Sequence, residues 1–184
     1  MDSSLFFGFC KNNIIGITGT KGKTTVSLLI YSILKMAGKN LIKAGVGQFS
    51  VLDKLTELKK DSIVVFELSS WRLSALGKNF LSPHGAVITN IFPDHLNYYS
   101  SMETYVRDKK NIFLCQKTND YCIVNWDNER TRLFESEIKS QLVKCSKGKI
   151  AGKSVYVSNG SIFINDGVEE KMVMEVAEIA LAGM

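Results

Sequence analysis

Gly16-Ile17-Thr18-Gly19-Thr20-Lys21-Gly22-Lys23-Thr24-Thr25 joins a β-branched stretch, Asn13 to Thr18, to an amphipathic one, Thr24 to Met36, through a glycine-rich turn. A strand feeding a helix in this way aims backbone N–H groups and the positive end of the helix dipole at one spot, which suits a phosphate. The Gly-Lys-Thr ending adds Lys23 for β- and γ-phosphates and the Thr24 hydroxyl for Mg²⁺. ATP is the expected ligand. The turn is shorter than the commonest phosphate loop, which carries a glycine five residues before the Gly-Lys pair, where this chain has Ile17.

Working outward, apolar residues at Val26, Leu29, Ile30, Ile33 and Leu34 give the first helix its buried stripe, and Gly38 ends it. Leu41 to Ala44, the near-continuous apolar run Ser62 to Glu67, Gly85 to Asn90 and Tyr121 to Asn125 read as strands. Val51 to Lys59, Trp71 to Leu76, Met102 to Leu114 and Asn128 to Glu135 read as helices between them. The alternation predicts an α/β fold of three layers, a mostly parallel doubly wound sheet covered on both faces. After about Gln141 come short strands, Leu142 to Cys145, Ser154 to Ser158 and Ser161 to Asn165, the last two joined by an Asn159-Gly160 turn. They predict a small antiparallel extension. Val173 to Leu181 reads as a helix that stops abruptly at Gly183-Met184.

With 184 residues, 45% of them hydrophobic, the chain suits one well-buried domain. Its net charge of +5 is scattered rather than gathered on an aromatic-laced basic helix, so nucleic acid is not an expected partner. Cys10, Cys115, Cys122 and Cys145 form no Cys-x-x-Cys pair, which argues against a zinc site or a disulfide framework. No run is long enough to span a membrane, and the start lacks the basic region of a signal peptide. A cytoplasmic monomer with no membrane partner is expected.

Three further places carry chemistry. Glu67 ends its strand before Leu68-Ser69-Ser70-Trp71, at the edge where open α/β sheets bind ligands. It is a candidate Mg²⁺ ligand, or only the residue before a Ser69 or Ser70 helix cap. Thr89-Asn90-Ile91-Phe92-Pro93-Asp94-His95-Leu96-Asn97 places His95 beyond the next strand end as a metal or phosphate partner, whereas His84 has no such company and reads as structural. Val106, Lys109 and Phe113 share a helical face. Lys109 therefore either points inward, at a cost unless paired, neutral or modified, or snorkels to the surface, which periodicity alone favours.

Together, Thr18-Gly19-Thr20-Lys21-Gly22-Lys23-Thr24-Thr25, Glu67-Leu68-Ser69-Ser70-Trp71, Thr89-Asn90-x-x-x-Asp94-His95-Leu96 and Tyr105-x-x-x-Lys109-x-x-Ile112 resemble, in order and spacing, the central ATP-binding domain of the muramyl (Mur) ligases. The Glu-Leu-Ser-Ser-aromatic form looks most like the branch that adds D-glutamate to UDP-N-acetylmuramoyl-L-alanine. The resemblance implies an ADP-forming ligase of cell-wall peptidoglycan synthesis that makes its amide through an acyl phosphate. It implies ATP binding by Gly19, Thr20, Lys21, Gly22, Lys23, Thr24 and Thr25. Catalytic roles would fall to Lys23, Glu67, His95 and Lys109, and Mg²⁺ to Thr24, Glu67, His95 and a carbamylated Lys109. Residues 1–184 would be the central domain alone, without the UDP-binding and amino-acid-binding domains, and inactive by themselves.

Two departures stand out. Ala44-Gly45-Val46-Gly47-Gln48 replaces the family's Gly-Gly-Asn-type loop, with Gln48 where a substrate-contacting Asn is expected, and Ile179 to Gly183 opens but does not complete the segment whose asparagines meet adenine. The diaminopimelate-adding ligase is a nearby alternative, disfavoured by Trp71. Folylpolyglutamate synthase is disfavoured by Thr24-Thr25 after the lysine. A non-catalytic nucleotide-binding module is the alternative of another class, opposed by the joint presence of Lys23, Glu67, His95 and Lys109.

Overall fold

The computed structural model describes residues 2–47, 50–95 and 97–179. The expected first unit is present: strand β1 (Asn13–Thr18), the glycine turn, and a helix over Lys23–Met36. Ahead of it lies a helix that sequence reading did not anticipate, α1 (Asp2–Phe9), so the helix after the turn is α2. The signal for α1 was the polar Asp2-Ser3-Ser4 before the apolar Leu5-Phe6-Phe7. Phe6 and Phe7 pack edge-on and tilted against Phe66, at 5.5 and 5.6 Å between ring centroids.

The chain continues through β2 (Leu41–Ala44), β3 (Ile63–Glu67), α3 (Ser70–Gly77), β4 (Gly85–Ile88), α4 (Met102–Lys110), β5 (Tyr121–Asn125) and α5 (Glu129–Arg132). It ends in β6 (Gln141–Ser146), β7 (Ser154–Ser158), β8 (Ser161–Asn165) and β9 (Glu170–Glu175). These form one nine-stranded sheet in the order β2-β3-β1-β4-β5-β6-β7-β8-β9. Ladders are parallel from β2 across to β7, and antiparallel between β7 and β8 and between β8 and β9.

Several expectations are corrected. Leu142 to Cys145 is part of a strand parallel to both β5 and β7, so the parallel sheet extends farther than the short-strand pattern implied. The described part of Val173 to Leu181 is not a helix: Val173–Glu175 completes β9, and Val176–Glu178 makes one 3₁₀ turn. The free edge of β8 offers a ladder of backbone partners, and that pairing outweighs the helix propensity of Met and Glu. Val51 to Lys59 shortens to a 3₁₀ turn at Leu52–Leu55. The α4 and α5 helices are also shorter than expected, the latter followed by a 3₁₀ turn at Glu135–Glu137. Gln48 and the stretch from Ala180 onward lie outside the described residues.

The core lies between the sheet and α1, α3 and α4. Ile14, Val64, Phe66, Ala86, Ile88, Cys122 and Val124 face Phe6, Leu73, Leu76, Tyr105 and Phe113 there, all essentially sealed from solvent. A right-handed β1-α2-β2 crossover runs opposite to the passage from β3 to β4, which sets α2 on the other face, against β1, β2 and β3. The chain jumps from β1 outward to β2, returns to β3, and then crosses to β4. The carboxyl ends of β1, β3 and β4 thus meet at the switch point, where such sheets form their crevice.

Candidate functional site

The turn after β1 is shaped by what lies against it. Gly19 has φ +148°, and a Cβ there would fall 1.9 Å from Thr89 Oγ1, so only glycine fits. Gly22, at φ 82°, precedes α2 without any side-chain cap. The N–H groups of Gly22, Lys23, Thr24 and Thr25 have no partner among the described residues, whereas those of Thr20 and Lys21 are taken by Asn90 O and Asn90 Oδ1, each at 2.9 Å. A helix start with four unspent donors and no acidic or hydroxyl cap has the chemistry that suits an anion.

Two lysines converge on the turn. Lys23 Nζ donates to the carbonyls of Gly19 (3.1 Å) and Thr20 (3.0 Å). Burial lowers its pKa from the ordinary lysine value, against the pull of the Glu67 and Asp94 carboxylates. Lys109 is 2% exposed and donates to Gly19 O at 3.0 Å and Thr18 Oγ1 at 3.3 Å, over the Tyr105 ring at 4.8 Å. Burial, helped by the charge of Lys23, pushes its pKa down to about 7. Lys109 is therefore inward, contrary to the snorkelling that periodicity alone favoured. Tyr105, one turn earlier on α4, seals it from the other side and bonds Thr20 Oγ1 at 3.1 Å.

Glu67 stands across the crevice. Thr24 Oγ1 donates to Glu67 Oε2 at 2.9 Å, which places a hydroxyl and a carboxylate oxygen side by side at the helix start. Ser69 meanwhile caps α3 by accepting from the Arg72 N–H, so the cap reading holds for Ser69 without removing Glu67 from the site. Oxygen donors that leave most positions to water or phosphate suit Mg²⁺, which dehydrates reluctantly and rarely takes an all-protein cage. Among the described residues no group of three His, Cys, Asp or Glu forms such a cage.

His95 arrives on the long turn after β4, at φ 55°, with Trp71 and Tyr105 around its ring at 4.7 and 6.3 Å between centroids. Asp94 beside it pairs with Lys21 of the glycine turn at 3.5 Å. Lys23, Thr24, Glu67 and Lys109 thus meet directly around the turn, and His95 reaches it through Tyr105 and Asp94. His84 is structural as expected, its Nδ1 accepting from the Ile14 N–H. Sequence reading did not single out Asn125 and Asn128, whose side chains hold the backbone on either side of Asn90. The Asn-x-x-Asn spacing just after β5 was the available signal. A cavity of about 660 Å³ opens beside the turn, over Asn90, Phe92, Asn125, Asp127, Arg130 and Lys147.

A family model described as the Mur ligase middle domain matches residues 17–183. UDP-N-acetylmuramoylalanine--D-glutamate ligase of Acetivibrio thermocellus is 36% identical over 183 residues, covering 100% of this chain and 39% of that protein. The enzyme of the same name from Clostridium tetani is 37% identical over 179 residues, covering 97% of this chain and 38% of that protein. Among solved structures, MurF ligase from Thermotoga maritima in complex with ADP aligns with a TM-score of 0.65 at 20% identity, over 94% of this chain and 43% of that one. The chain spans about 39% of the length of the first of these curated relatives.

Proposed function

The chain belongs to the Mur ligase family through its middle domain, and from that premise we propose that it is the ATP- and metal-binding part of a ligase adding D-glutamate to UDP-N-acetylmuramoyl-L-alanine. Such an enzyme acts in the cytoplasm, in the synthesis of peptidoglycan precursors. The observation that carries the reading is the meeting, at one end of α2, of four N–H groups unpartnered among the described residues, Lys23, and the Thr24–Glu67 pair. The D-glutamate branch is favoured over the diaminopimelate-adding one because both relatives quoted above are D-glutamate ligases.

In the proposed reaction a substrate carboxylate oxygen attacks the γ-phosphorus of ATP, the bond to the β-γ bridging oxygen breaks, and ADP leaves. The amine of the incoming amino acid then attacks the acyl carbon of the resulting acyl phosphate, loses a proton and expels inorganic phosphate. The amides of Gly22 to Thr25 hold the phosphates in line. Lys23 exchanges the Gly19 and Thr20 carbonyls for the phosphate oxygens and meets the charge that develops on the transferring group. Thr24 and Glu67, with His95 nearby, are the groups that would hold Mg²⁺, which supplies charge neutralisation when bound.

Lys109 is proposed to carry a carbamate: its nitrogen lone pair attacks CO₂ and a proton leaves. Burial and a pKa lowered to about 7 favour this by keeping a neutral amine available near neutral pH. The anion formed would stand beside Thr18 and Gly19 among the cations of the site.

Replacing the matching segment of the Clostridium tetani relative with this chain tests the reading. ADP release that requires both D-glutamate and UDP-N-acetylmuramoyl-L-alanine is expected from the folded chimera. A folded chimera that releases no ADP with these substrates would refute it.

A further inference from the structure

The phosphate turn is held by a segment rather than by its own residues. Asn90 Oδ1 accepts from the Lys21 N–H at 2.9 Å, and Asn90 Nδ2 donates to the Lys21 carbonyl at 3.1 Å. One carboxamide thus grips both faces of the Lys21 residue's backbone. The Asn90 carbonyl accepts from the Thr20 N–H, and Thr89 Oγ1 donates to the Lys21 carbonyl at 2.6 Å.

Asn90 is gripped in turn. Asn125 Nδ2 donates to the Thr89 carbonyl at 2.8 Å, and Asn128 Oδ1 accepts from the Ile91 N–H at 3.2 Å while also capping α5 through the Thr131 N–H. Asp127 between them accepts from Ser146 Oγ at 2.7 Å and from the Lys147 N–H at 2.8 Å. A relay of side-chain amides and one carboxylate therefore links the carboxyl ends of β1, β4, β5 and β6. It engages the donors of Thr20 and Lys21, and those of Gly22 to Thr25 have no partner among the described residues.

We propose that Asn90 is a positioning residue of the nucleotide site: its carboxamide fixes the Lys21 backbone, and Asn125 and Asn128 lock it, so that the free amides of Gly22 to Thr25 are aimed before a phosphate arrives. The proposal rests on the nucleotide reading above. It adds that affinity is set partly by a segment that carries no phosphate donor of its own. Two well-formed hydrogen bonds fixing a loop are worth about tenfold or more in binding when their loss lets the loop wander.

The test uses this chain, with Mg-ADP as the probe, and two readouts: amide hydrogen exchange without nucleotide, and calorimetric affinity. In Asn90→Ala, faster exchange at Lys21 and Thr20 is expected, together with about tenfold weaker ADP binding. Asn128→Ala should move both readouts the same way. Asn128→Asp keeps the acceptor for Ile91 and Thr131 and gives up only the long 3.5 Å donation to the Ile91 carbonyl, so it should restore most of both. Faster exchange with unchanged affinity would overturn the positioning role, and unchanged exchange in Asn90→Ala would overturn the clasp itself. Failure of the unmodified chain to bind ADP would refute the nucleotide reading and with it the claim on affinity, leaving exchange to decide whether the clasp exists.

Discussion

The carboxyl ends of β1, β3 and β4 and the strands β7 to β9 belong to one sheet, yet they are built on different physics. At the first, backbone is bent into positive φ at Gly19, Gly22 and His95, and polar atoms grip one another at short range. Two lysines are drawn inward at a cost in solvation. At the second, antiparallel ladders, interrupted by one register shift at Ile162/Phe163, run out to β9, where five of six residues are exposed, and Tyr156 stacks on Phe163. Single changes therefore weigh unequally in the two regions. A site held by specific contacts fails when one contact fails, whereas a ladder of equivalent bonds tolerates change.

Gly19→Ala should abolish nucleotide binding, because its Cβ would sit 1.9 Å from Thr89 Oγ1; calorimetry should find at least about a hundredfold loss, the Thr20–Asn90 and Lys21–Asn90 bonds being torn open together. Glu67→Gln should remove the carboxylate beside Thr24 and weaken Mg-ADP about tenfold, to the affinity measured without Mg²⁺. The comparison of titrations with and without the metal decides it, since an equal loss in both would mean that Glu67 does not serve the cation.

Lys109 gives a pH signature. Its pKa is about 7 in the folded chain and near the ordinary lysine value when unfolded, so between those values the unfolded chain binds more protons. Stability should therefore rise as pH increases from about 7 toward 10, and in Lys109→Met that contribution should vanish. Urea midpoints across the range measure it, and identical pH slopes in the two proteins would deny the inward, neutral lysine. The smallest effect belongs to the antiparallel edge. Val173→Ser, at a position 51% exposed, should shift stability by no more than about 0.5 kcal/mol and leave ADP affinity unchanged.

The sequence reading reached the parallel sheet because apolar runs such as Ser62 to Glu67 and the strand–turn–helix at Gly16 to Met36 carry local signals that the packing agrees with. It erred where pairing partners decide. Val173 to Glu175 could join a helix or a strand by propensity alone, and the unpaired edge of β8 selects the strand. The site followed the same division. Lys23, Thr24 and Glu67 stood in motifs whose chemistry is local, but Asn125 and Asn128 serve through bonds to Thr89 and Ile91, and contacts of that range leave no periodic trace. Lys109 was ambiguous for a related reason: the helical face was legible, while the Thr18 and Gly19 acceptors that draw its amine inward belong to another strand.

The central claim is that the start of α2 is a phosphate site already formed in this chain. Calorimetric titration with Mg-ATP, set against Lys23→Ala, tests it most directly. Saturable binding at one site, lost in the variant, is expected. Binding of equal strength in Lys23→Ala, or no binding by the unmodified chain, would contradict it.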